Sequence, residues 1–116
     1  MMNYRRTLSK ENAFYFFTSI GNYTGESATS LEELLNKIEH IDIKSIEFHF
    51  HRGDFEKWVA ETIGDKELSE HIGKLHEKRL AGEKLRDQLH SIILKGYEKV
   101  TNLRSEVDES KNPVNS

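Results

Sequence analysis

The spacing of apolar residues from Leu31 onward most constrains what this chain can fold into. Leu31, Leu34, Leu35 and Ile38 form a first set, and Phe55, Trp58, Val59 and Ile63 a second. Leu68, Ile72 and Leu75 form a third; Leu85, Leu89, Ile92, Ile93, Tyr97, Val100 and Leu103 close the series. Steps of three and four residues gather each set into one stripe of a helix. The charged residues, 32 % of the chain, are left to wet outer faces. No single helix can cover its own stripe, so the expected fold class is mainly α: a compact helical domain. At 116 residues it is a single domain with enough chain to bury a core. Residues 13–105 carry the pattern, between a polar, flexible N-terminus at 1–12 and a disordered tail at 106–116.

Local signals refine this outline. Phe14-Tyr15-Phe16-Phe17-Thr18 is rich in β-formers and runs into Gly21-Asn22, which predicts a strand over 13–19. Residues 23–28 can return as a second strand, making a small N-terminal hairpin that must pack on helices. Ser30-Leu31-Glu32-Glu33 is a capping box: the Ser30 hydroxyl accepts from the Glu33 amide, and the Glu33 carboxylate reaches back to the Ser30 amide. A helix over 31–40 follows. Residues 43–52 fit two periods. Ile46, Phe48 and Phe50 alternate as on a strand, whereas Ile43, Ile46 and Phe50 fit a helix, the reading preferred here. Gly53 breaks this element, and Asp54 suits the N-cap of the next. Gly64 ends that helix and Asp65 can cap another. Beyond it the heptad register passes through Arg79, Gly82 and Arg86. A continuous coiled coil does not fit, and a long C-terminal helix or helix pair does, with a break near Ala81-Gly82.

Composition removes several function classes. There is no cysteine, so thiolate catalysis, disulfides and cysteine-based zinc sites are excluded. No apolar run approaches the ~20 residues that span a bilayer, and no secretory signal is apparent; a cytoplasmic protein is expected. The net charge of −3 argues against a nucleic-acid binder. Charge is nevertheless uneven. Residues 31–64 hold four Lys/Arg and eight Asp/Glu, and residues 65–105 hold nine and seven. Solvated helix faces account for this ordinarily, and head-to-tail association of acidic and basic segments is the sharper alternative.

Chemistry concentrates in Ser45-Ile46-Glu47-Phe48-His49-Phe50-His51-Arg52-Gly53-Asp54-Phe55-Glu56-Lys57-Trp58. This block resembles a domain family of unknown function found in archaea and bacteria. Its members carry Ser-Ile or Ser-Leu, a His, then Arg-Gly-Asp-Phe ahead of a Trp. Phe14 to Phe17, Thr24-Gly25, Ala28 to Glu33 and Ile63-Gly64-Asp65 extend the resemblance over about residues 13–95. It implies a compact, mostly helical domain and assigns no catalytic residue. Some members are attached to proteins of carbohydrate metabolism.

Three functional readings follow from the residues. The first is an interaction or regulatory module that self-associates, as a homodimer, or binds another protein through the helices of 66–105. Its ground is the wide stripe on the last helix, since monomers rarely expose large apolar patches. No cofactor is expected. The second is a small-ligand or carbohydrate-binding module using His49, Arg52, Asp54 and Trp58. Arg52 would grip an anion, His49 would titrate near neutrality, Asp54 would orient either, and Trp58 would offer a stacking face. The third is a metal-dependent enzyme. On a strand Glu47, His49 and His51 share one face and could start a metal site. On a helix His49 and His51 lie about 200° apart and cannot share one ion. Each residue also has a plain structural role open to it: a helix cap for Asp54, a carboxylate partner for Arg52, a backbone bond for His49, the core for Trp58.

Overall fold

Strands β1 (Phe14–Ser19) and β2 (Asn22–Ala28) form an antiparallel hairpin that pairs Phe14 with Ala28 and Phe17 with Tyr23. The computed structural model describes residues 10–109, with side chains described as far as Lys99 and at Thr101. The register shifts on both sides of Phe17, and Gly25 supplies the positive φ of 90° that this irregularity needs. The Thr24 hydroxyl donates to the Phe16 carbonyl at 2.8 Å and accepts from the Glu26 amide at 3.0 Å, filling the interrupted ladder. Alternation turns Phe14 and Phe16 inward and leaves Tyr15 outside.

Five helices follow: α1 (Leu31–His40), α2 (Ile43–Arg52), α3 (Asp54–Trp58), α4 (Lys66–Lys74) and α5 (Gly82–Glu109). The mainly α fold with an N-terminal hairpin and a long last helix is as expected, and residues 43–52 are helical. At the start of α1 the Ser30 hydroxyl accepts from the Glu33 amide at 3.1 Å. The Glu33 carboxylate reaches one residue further than expected, accepting from the Thr29 amide at 2.7 Å and the Thr29 hydroxyl at 3.0 Å. Asp42 caps α2, and Asp65 caps α4 by accepting from Leu68 N–H at 3.0 Å.

The single helix expected over 54–63 is two pieces. After α3 the chain widens into a π-helical turn at Val59–Ile63, where the Gly64 and Asp65 amides both donate to the Val59 carbonyl. A 3-10 turn at Leu75–Lys78 and a left-handed Arg79 (φ 53°) then separate α4 from α5, so residues 66–105 form two helices. Lys10–Asn12 form a turn whose Asn12 carbonyl accepts from Trp58 Nε1 at 2.8 Å. The flexible stretch expected to reach residue 12 is thus tied down at its end. Residues 106–109, expected in the tail, continue α5. Residues 1–9 and 110–116, and the side chains of Val100 and Leu103, lie outside those described.

The core lies where the hairpin meets α1, α2 and α3 and where α5 packs on α1, α2 and α4. Phe14 is its aromatic centre, stacked on Phe55 with ring centroids 5.0 Å apart and set edge-on to Trp58 at 5.8 Å. Leu85, Leu89 and Ile93 of α5 are fully buried against the rest of the domain. Polar bonds fix the last helix at two further points. Glu47 of α2 accepts from Gly82 N–H at 2.9 Å, placing a carboxylate at the α5 N-terminus, and Arg86 donates to the Ile38 carbonyl at 2.6 Å.

The Ser30 cap sets a measurable cost. Ser30→Ala should lower stability by about 0.5–2 kcal/mol, read as a reduced denaturant midpoint at unchanged slope; an unchanged midpoint would show that the cap carries no weight.

Candidate functional site

His49 sits in the last turn of α2 and is 5 % exposed. Its Nε2 accepts from the Phe17 amide of β1 at 2.8 Å, so this nitrogen carries no proton. The proton therefore resides on Nδ1, which donates to Asp54 Oδ2 at 2.8 Å. Gly53, at φ 77°, turns the chain sharply enough to bring the first residue of α3 back onto the last turn of α2. Arg52 Nε donates to the same Asp54 oxygen at 3.0 Å, and its guanidinium lies 5.0 Å from the Phe48 ring centroid.

Asp54 is therefore not the helix cap that its position after Gly53 suggests. Gly53 is the N-cap, no side chain caps α3, and the Asp54 carboxylate turns to His49 and Arg52 instead. Burial lowers the His49 pKa from its usual 6.5; the hydrogen bond and charge of Asp54 oppose this, and Arg52 adds to it. At neutral pH the ring is neutral with both nitrogens engaged. It offers no free lone pair to a metal or a substrate proton.

Of the four residues proposed for ligand binding, His49, Asp54 and Trp58 line one small cleft beside Phe14, Lys57 and Glu61. Arg52 is outside that lining and joins only through Asp54. The cleft's volume, about 240 Å³, falls just below the ~300 Å³ at which small-ligand sites begin. Trp58 is 8 % exposed and packs edge-on to Phe14, so little of its face is open for stacking. The metal grouping does not assemble. Because residues 43–52 are helical, His49 points into the core, His51 is exposed, and Glu47 is spent on Gly82. Among the described residues no group of three or more His, Asp and Glu side chains converges.

A larger concavity lies between α4 and α5. Its volume is about 490 Å³, its floor is Leu68, Leu75 and Ile92, and Gly96 forms part of one wall. A Cβ on Gly96 would stand 2.9 Å from Leu68 Cδ1, so the glycine lets α4 lie close against α5. Lys74, Lys78, Lys95 and Lys99 surround the floor. The apolar spacing marks Leu68, Leu75 and Ile92 as stripe positions and by itself gives the four lysines no role. Their signal was present as two i, i+4 lysine pairs flanking apolar positions, within the segment of basic excess.

The fold and these two sites define a small helical domain with a hairpin locked on by a buried histidine and an open groove between its last two helices. The chain belongs to the family of unknown function DUF5752, which it matches over residues 9–111. No curated protein and no solved structure matches the chain.

Two outcomes are expected at His49. His49→Ala should cost about 2–4 kcal/mol, because it opens a cavity and leaves the Phe17 amide unpaired; thermal unfolding reads it. The folded state binds fewer protons than the unfolded one below pH 6.5. Stability from this group is complete above 6.5 and is lost progressively as pH falls through that value, levelling below the depressed folded pKa. In His49→Gln that component of the slope should vanish, since Gln can accept from Phe17 and donate to Asp54 without titrating. An identical pH profile in the variant would remove His49 from the account.

Proposed function

We propose that this chain is a binding module, not a catalyst, and that its working surface is the groove between α4 and α5. The observation that carries the reading is the coincidence of an apolar floor with a cationic rim in a cavity of about 490 Å³. That volume lies within the ~300–1,000 Å³ of ligand sites. The Arg52–Asp54–His49 arrangement supports a structural role for that block, because both His49 nitrogens and Asp54 Oδ2 are already held within the fold.

Self-association through residues 66–105 is the other reading. Its motive was the α5 stripe, and Leu85, Leu89 and Ile93 of that stripe are covered by the domain itself. A twofold pairing of groove on groove would set two lysine rims face to face, and like charges there oppose association. On the binding-module reading the groove is open in a monomer. Sedimentation at micromolar concentration should give a single 13.5 kDa species. A dimer that Ile92→Asp dissociates would overturn this reading and restore pairing through α5.

A further inference from the structure

We infer that the α4–α5 groove takes an amphipathic anion, an apolar carbon chain ending in a carboxylate or a phosphate; this rests on the groove being the binding surface. The chemistry follows from how the charges around it are satisfied. Asp65 is engaged in capping α4 at Leu68 N–H, and Glu67 offsets Lys99 across 3.4 Å. Lys74, Lys78 and Lys95 make no ion pair among the described residues. Four lysines thus face two carboxylates around an apolar floor, an excess of two positive charges on a chain whose net charge is −3. Walls of low polarity focus such a field into the groove.

Neither half of the site is satisfied by a simpler occupant. An inorganic anion would leave the floor wet, and an uncharged hydrocarbon would leave the lysines crowded without a counter-charge. An amphipathic anion covers Leu68, Leu75 and Ile92 with its chain while its head meets the lysine rim, whose flexible ammonium groups suit a carboxylate or phosphate as point charges. Size favours a small molecule over a partner helix. Along α5 the lining runs from Ile92 to Lys99, two turns or roughly 10 Å. That length suits a medium-length chain. A docked helix needs anchors over at least this span plus flanking contacts.

Calorimetry of the full chain with decanoate, octanoate, decyl phosphate and decanol, each below its micelle concentration, tests this. Decanoate or decyl phosphate should bind one per chain, and octanoate should bind roughly tenfold more weakly than decanoate, as the loss of two buried methylene groups requires. Decanol should be weaker than the anions by at least about tenfold, and rising salt should narrow that gap. Lys78→Glu and Lys95→Glu should each weaken decanoate several-fold while leaving thermal unfolding unchanged, because both side chains are exposed. A preference for decanoate points to a fatty-acid-like ligand, and a preference for decyl phosphate to a phosphorylated one.

Equal affinity for decanol, no response to either charge reversal, or no binding of either anion at millimolar concentration would overturn the assignment. Binding only to vesicles of anionic phospholipid would overturn it too, replacing the small ligand with a membrane surface. The two levels fail differently. A monomer that binds none of these anions sinks the ligand class alone, whereas a dimer that buries Ile92 sinks the groove as a binding surface as well.

Discussion

The imidazole of His49 is the point on which the rest of the hairpin side of the domain depends. A two-stranded sheet is marginal by itself, and this one is joined to the helices by a ring that bonds β1 with one nitrogen and α3 with the other. The apolar half of the same ring packs edge-on to Phe14 at 4.8 Å, so one side chain serves the aromatic core and the polar network together. Such a buried group is stabilising only while both nitrogens are paired. That condition fixes its tautomer, holds it neutral, and commits Asp54 Oδ2 to the ring. A block that reads as chemistry is in this way consumed by architecture.

The opposite holds for α4 and α5. Gly96 brings Leu68 against the α5 backbone, and the 3-10 turn at Leu75–Lys78 carries the chain away before α5 returns. Along this pair of helices lies the groove. Four exposed lysines line it together with Leu68, Leu75 and Ile92.

Several elements were legible residue by residue. Ser30 with Glu33 marked the start of α1, Asp65 after Gly64 marked the start of α4, and Gly82 marked the start of α5, because caps and breaks act over three or four residues. Asp54 departs from the role that its local pattern predicts. A carboxylate after glycine and before an apolar stripe is the pattern of a cap, and only the fold of α2 back onto α3 offers it a buried imidazole 2.8 Å away. The π-helical turn at Val59–Ile63 left no mark in the spacing, since Val59 and Ile63 fit an ordinary helical period.

By itself the sequence determined the helical class, the hairpin and most element boundaries, because periodicity and capping are properties of near neighbours along the chain. Tertiary structure alone decided the roles of Glu47, His49 and Asp54 and the existence of the groove. Glu47 and His49 depend on partners far away in sequence, since Phe17 lies 32 residues from His49 and Gly82 lies 35 from Glu47, and Asp54 follows because its partner is the imidazole that the Phe17 bond holds in place. Lysines at 74, 78 and 95 come to line one groove only when α4 and α5 are laid side by side. A one-dimensional pattern fixes which face of a helix is apolar, and the packing of that face against others fixes which charges end up together.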